Sequence, residues 1–271
     1  MKQTYDTPGP ISVFVELGSG QLTTVAAETS ESSVEVRGPR AEEFLVEFNG
    51  KRIDVIAPHG RFFGRGDSHD VRVQVPSGSE LVTKMGSADT TTSGTLGLLA
   101  LKTGSGDIEV DRAEGPVVIE SGSGDIKGQQ FGAEVRIKSG SGDIDLREVH
   151  GKTGISTGSG DVVLGLVHAA TVIKTGSGDL QVNRSEGDVS LTTASGDLTI
   201  GAAPRGKVTA KNVSGDVRVG IPTGTPVWTD INTVTGNVKN NLASVGKPAK
   251  DQDYVELRAT TVSGDVHLKQ V

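Results

Sequence analysis

Nine aspartates occupy one position of a repeated turn, Ser-Gly-Asp in eight cases and Ser87-Ala88-Asp89 in the ninth. Asp107, Asp125, Asp143, Asp161, Asp179 and Asp197 follow one another at intervals of 18 residues; Asp89 lies 18 earlier, and Asp216 and Asp265 continue the series at wider spacing. Carboxylates in a row can do three kinds of chemistry. They can bridge cations, work as an acid and base pair, or accept hydrogen bonds in their turns. Stacked ~4.8 Å apart, neighbours repel by roughly 0.9 kcal/mol per pair even in water. Something must therefore relieve them. The turn reading has each Asp bond backbone N–H groups of its own turn, as in Asx-turns. The alternative is Ca²⁺ between neighbouring carboxylates, with Asp107, Asp125, Asp143, Asp161, Asp179 and Asp197 as ligands. Calcium-binding repeats of the G-G-x-G-x-D kind place one residue between Gly and Asp, whereas here the two adjoin. A third possibility is polysaccharide cleavage, since carboxylates ~5–9 Å apart suit glycoside hydrolysis. That chemistry also needs long loops and sugar-binding aromatics. The corners are short, and Trp228 is the single Trp, with Tyr5 and Tyr254 distant in sequence.

The elements that must hold these aspartates follow from the columns. Val117, Val135, Thr153, Thr171 and Val189 align, as do Ile119, Ile137, Ile155, Ile173 and Leu191 two residues on. A small hydroxyl column follows: Ser121, Ser139, Thr157, Thr175, Thr193. After the turn come Ile108, Ile126, Ile144, Val162, Leu180 and Leu198. Period two within a rung means strands with one face buried. A period of 18 between rungs means that each coil sits on its predecessor. The expected fold is all-β, a single-chain parallel β-solenoid (β-helix) with ~18-residue rungs, right-handed by the crossover rule. The second corner falls near Gly115, Ala133, Gly151, Ala169 and Gly187.

Before residue 85 the pattern loosens. Ile11 to Leu17, Val34 to Arg37, Phe44 to Phe48, Ile53 to Ile56 and Val71 to Val75 alternate like antiparallel or irregular strands. Residues 1–84 read as an N-terminal β cap and irregular first coils, with Gly18-Ser19-Gly20-Gln21-Leu22 as a degenerate rung. Residues 85–271 read as the solenoid, with an insertion near 243–253 before a last strand pair.

The Gly-Ser-Gly-Asp-Ile rungs, the opening Asp6-Thr7-Pro8-Gly9-Pro10-Ile11 and the ending Val262-Ser263-Gly264-Asp265-Val266 resemble a bacterial β-strand-repeat family of unknown function, usually labelled "putative adhesin", in its actinobacterial type. The resemblance implies a β-solenoid and a non-enzymatic role at the cell surface or envelope.

Composition narrows the field further. Gly is 38 of 271 residues, which excludes a helical protein, because each interior Gly costs a helix roughly 1 kcal/mol. The net charge of −7 argues against nucleic acid as a partner. There is no Cys, so disulfides and thiolate metal sites are out. Neither a secretory signal nor a transmembrane segment is visible in this sequence, which reads as cytoplasmic as it stands, with envelope association as the other expectation. Gly201 to Lys207 mimics a P-loop but lacks the Ser/Thr for Mg²⁺. Arg65-Gly66-Asp67-Ser68 matches an attachment tetrapeptide, and Asn183 and Asn212 open sequons, all patterns of high chance frequency. The five histidines, His59, His69, His150, His168 and His267, lack zinc-motif spacing; His150 and His168 are one rung apart, so their rings can stack at the second corner, and they read as solvated corner residues rather than metal ligands. The expected function is a non-enzymatic scaffold or interaction protein without cofactor. Its partner would be a protein or an extended polymer, with homo-oligomer formation through the solenoid ends as a further expectation. A calcium-stabilised repeat and a polysaccharide-processing enzyme are the alternatives.

Overall fold

The structure, a computed structural model, describes residues 1–58, 68–243, 245–250 and 252–271. The Arg65-Gly66-Asp67 motif and His59 lie outside the described residues. The chain forms two compact units, Met1–Gly140 and Ser141–Val271. Each is a pair of mainly parallel sheets enclosing an aliphatic core, so the expected all-β solenoid is what the chain adopts.

In the second unit one rung runs Ile144–Val149, a corner at 150–152, then Thr153–Ser159 and the Ser-Gly-Asp turn. The next rung pairs with it in register: Ile144 with Val162 and Leu146 with Leu164, Thr153 with Thr171 and Ile155 with Ile173. Ile155, Ile173 and Leu191 are buried one over another. Alternation slips near the second corner. Ile144 and Leu146 are buried, but the next buried residue is Val149, so Arg147 and Glu148 both face outward. That slip adds a third buried column, which includes Val149, Val167 and Ser185.

The Ser-Gly-Asp turn requires its glycine. Gly178 has φ +128°, and a Cβ there would stand 2.3 Å from the Gly160 carbonyl oxygen of the rung below. The hydroxyl column serves the same turn from inside. Thr157 and Thr175 Oγ1 donate to the carbonyls of Ser159 and Ser177 at 2.8 and 2.9 Å.

The coils do not all stack in chain order. In the second unit, Val255–Thr261 lies between Gly206–Lys211 and Val227–Thr233, and Val266–Gln270 lies between Val217–Ile221 and Val238–Asn241. The last coil of the chain is thus the second-last of the stack. The first unit does the same at the other terminus. Ser12–Leu17 pairs with both Arg52–Ile56 and Glu80–Met85, and Gly20–Ala27 pairs with both His69–Pro76 and Asp89–Ser93. Antiparallel strands complete that end: Lys2–Asp6 on Glu31–Arg37, Glu31–Arg37 on His69–Pro76, and Leu45–Phe48 on Arg52–Ile56. The expectation that every coil rests on its predecessor is corrected at both termini. A strand hydrogen-bonded along both edges leaves no unpaired backbone.

Candidate functional site

The aspartates form a ladder, but the bond that makes it runs between rungs. Asp161 N–H donates to Asp143 Oδ1 at 2.9 Å, Asp179 N–H to Asp161 Oδ1 at 2.8 Å and Asp197 N–H to Asp179 Oδ1 at 2.8 Å. Asp216 follows on Asp197, Asp265 on Asp216, and Asn237 caps Asp265. In the first unit Asp107 donates to Asp89 and Asp125 to Asp107. The expected partner was an N–H in the same turn; the observed one belongs to the rung above. The following residue bonds in the opposite sense, as when Val162 N–H donates to the Asp179 carbonyl at 2.9 Å. A hydrogen bond to a charged group contributes about 1.5–3 kcal/mol, which exceeds the ~0.9 kcal/mol repulsion between neighbours. The ladder is therefore held together through its carboxylates.

Order along the ladder also explains its one amide. Asp265 precedes Asn237 in the stack, although it follows it in sequence. Asn237 sits on the last coil of this order, where no further rung within the unit presents an N–H to a carboxylate. An arginine joins two of the outer oxygens. Arg218 donates to Asp197 Oδ2 at 2.6 Å and to Asp216 Oδ2 at 2.7 Å. Partial burial would raise the pKa of Asp197, but the Arg218 guanidinium and the Asp216 N–H outweigh it and hold the carboxyl below its ordinary value.

Among the described residues, one group of histidine and carboxylate side chains with metal-ligand spacing gathers at the other corner. Glu148, His150 and His168 bring ligand atoms within 4.8 Å of one another. The expected His150–His168 stack is present, with centroids 4.4 Å apart and planes within 2°. Glu148 Oε1 lies 3.2 Å from His150 Nε2 and 3.1 Å from His168 Nε2. His168 Nδ1 lies 3.0 Å from Glu186 Oε2. Glu148 and Glu186 were not singled out from the sequence. The signal was the corner column itself, since 150, 168 and 186 are spaced by one period.

A third feature unites residues that the sequence keeps apart. Trp228 and Tyr254, each about half exposed, line one groove of about 530 Å³ with Pro226, Pro248, Glu256 and Arg258. Pairing of Val227 with Val255 and of Trp228 with Glu256 brings the two aromatics to adjacent strands, offset by two positions, although they are 26 positions apart in sequence. Arg258 lies over the Trp228 ring at 5.8 Å and pairs with Glu256 at 3.2 Å. Tyr254 and Glu256 also line an adjoining groove of about 430 Å³, with Arg205, Lys207 and Asp253 among its walls. Tyr254, distant from Trp228 in sequence, reaches the same groove through the threading of the last coil.

Other sequence patterns resolve simply. Gly201 and Gly206 of the P-loop mimic lie in strands Leu198–Ala202 and Gly206–Lys211, with no helix following. Asn212 is buried, its Nδ2 donating to Gly215 O at 2.7 Å. Among the described residues, no helix is long and apolar enough to cross a membrane.

Paired parallel sheets, a Gly-Asp turn in register and short corners define a β-solenoid repeat protein. The chain belongs to the Toastrack DUF4097 family, whose pattern matches residues 11–269. Solved structures similar to it include a "putative adhesin" from Bacteroides fragilis, at 12% identity and TM-score 0.41, and one from Parabacteroides distasonis, at 13% and 0.42. A "putative lipid binding protein" from Parabacteroides distasonis is similar at 13% and 0.46. Each comparison covers 99% of this chain and 96% of the other. No curated protein matches the chain.

Proposed function

We propose that the chain is a non-enzymatic binding scaffold of the cell envelope, in which the solenoid presents the Trp228–Tyr254 trough to an extended saccharide polymer. The observation that carries this reading is two half-exposed aromatic side chains that line one groove with a charged rim. A sugar ring lays its apolar face on an aromatic ring, and its hydroxyls bond charged and polar tips. The two adjoining grooves, sharing Tyr254 and Glu256, suit a chain rather than a single small molecule. Binding without cleavage fits the acids present. Hydrolysis requires one carboxyl to hold a proton for the leaving group. Glu256 is instead paired with Arg258 at 3.2 Å and Lys207 at 3.6 Å, and Asp230 faces Arg258 at 4.0 Å.

The test uses Trp228, the single tryptophan, as its own reporter. The full chain is titrated with soluble polysaccharide fractions from bacterial envelopes while Trp emission and reducing ends are followed. A saturable emission change with no new reducing ends is expected, and W228A/Y254A should lose retention on the immobilised polymer. Equal retention of that double variant would remove the trough from the reading. Release of reducing ends would replace it with the enzyme alternative.

A further inference from the structure

The corner cluster carries an inference independent of the trough. We propose that Glu148, His150 and His168 form a binding site for one borderline divalent transition metal of the Zn²⁺ class, with Glu186 as its positioning residue. The chemistry of the donors selects the ion. Two imidazoles and a carboxylate suit Zn²⁺, whereas Ca²⁺ takes oxygen ligands. This separates the corner from the aspartate ladder, whose donors are all oxygens.

The distances match as well. Zn–N and Zn–O bonds of about 2.0–2.2 Å make ligand–ligand edges of about 3.3–3.5 Å in a tetrahedral site. Two edges stand near that length, Glu148 to His150 at 3.2 Å and Glu148 to His168 at 3.1 Å. The third needs one movement. A lone pair lies in the plane of its ring, and parallel rings cannot aim two lone pairs at one point. His150, the more exposed of the pair at 42% against 28%, is the ring free to turn about χ2, a torsion with broad wells.

Glu186 holds His168 from its other side. An ionised carboxylate only accepts, so in the tautomer with its proton on Nδ1, His168 donates to Glu186 at 3.0 Å. That leaves Nε2 to face Glu148 Oε1, two acceptor atoms 3.1 Å apart, which a proton or a metal ion must join. A ligand histidine whose other nitrogen donates to a carboxylate is the recurrent second layer of zinc sites. The solenoid supplies this by register, because His150, His168 and Glu186 occupy one corner column. Glu148 reaches the column because alternation slips beside it.

The experiment titrates ZnCl₂ into the full-length, chelator-treated protein by calorimetry, with Co²⁺ as a spectroscopic probe. Saturation at one equivalent is expected, with a visible Co²⁺ band of four-coordinate intensity, unaffected by millimolar Ca²⁺. H168Q and H150Q should each weaken Zn²⁺ by more than about tenfold. E186Q should weaken it by about ten- to a hundredfold while keeping one equivalent and a shifted Co²⁺ band. D161N should bind as the parent does. Absence of Zn²⁺ heat and of the Co²⁺ band overturns the site, as does unchanged affinity in H150Q. Should H168Q fail to fold, H150Q decides alone, because its ring is the more exposed of the two.

Discussion

Replacing Asp161 separates the two roles of a ladder carboxylate. Its Oδ1 accepts the Asp179 N–H at 2.8 Å, and its charge faces Asp143 on one side and Asp179 on the other. D161N keeps an acceptor oxygen but reduces a charged bond of about 1.5–3 kcal/mol to a neutral one of about 1. It also removes two repulsions of roughly 0.9 kcal/mol each in water. At low salt these nearly cancel, and D161N should melt within a degree or two of the parent. D161A removes the acceptor too and should fall about 1 kcal/mol below D161N, a Tm difference of about 2–4 °C. In 1 M salt, where the screening length is about 3 Å, the repulsion relief disappears and D161N should drop below the parent. Thermal unfolding gives these values, and amide hydrogen exchange gives the local one. The Asp179 amide should stay protected in D161N and exchange faster in D161A. Equal Tm for the Asn and Ala variants, with Asp179 protected in both, would refute the inter-rung bond. A rise in the parent's Tm in millimolar Ca²⁺ that D161N abolishes would favour the calcium reading instead.

Two further outcomes are expected from the same unit. Ile173 is buried between Ile155 and Leu191, so I173D should unfold or strongly destabilise the chain, while K174D, one position outward, should cost less than about 1 kcal/mol; circular dichroism melts that rank both alike would mean that the register is wrong. The second concerns acid. Asp197 has a lowered pKa when folded, so its stabilisation is present above the ordinary value of 3.8 and is lost as pH falls through the folded value. R218Q should therefore melt below the parent at neutral pH, and the gap should close on acidification below about pH 4; a gap unchanged down to about pH 2.5 would detach Arg218 from Asp197.

The regular rungs were legible because one short period wrote the same environment many times. Ile155 and Ile173 recur on one face at one spacing, and each lies buried where that spacing puts it. Val149 and Val167 were missed because alternation slips by one before the corner, and a period-two reading assigns those positions outward. Asp161 was legible as a turn residue, but not the direction of its bond. Own-turn and next-rung amides are both within reach of a short carboxylate, and only the stacking chooses. Glu148 escaped for a further reason. It approaches His168 from a different column, through the same slip that buries Val149.

Trp228 and Tyr254 were out of reach for a topological reason, which ties the fold to the trough. A chain terminus is ordinarily the loosest part of a repeat stack. Here the last coil pairs along both edges, and the edge passes to the internal strands Val227–Thr233 and Val238–Asn241. Those strands carry Asp230, Asn232, Lys239 and Asn241, the polar and charged residues that blunt an open edge. Threading a later coil beneath an earlier one has a geometric consequence. The chain must travel from Asn241 back to Val255, so a long connection replaces a three-residue corner. That connection carries Pro248 and ends with Tyr254 next to Pro226, whose carbonyl accepts the Val255 N–H at 3.0 Å. The threading that pairs Val255–Thr261 along both edges thus also builds an aromatic trough. Regular corners, a few residues long, cannot raise such a wall, which is why the trough lies where stacking departs from chain order.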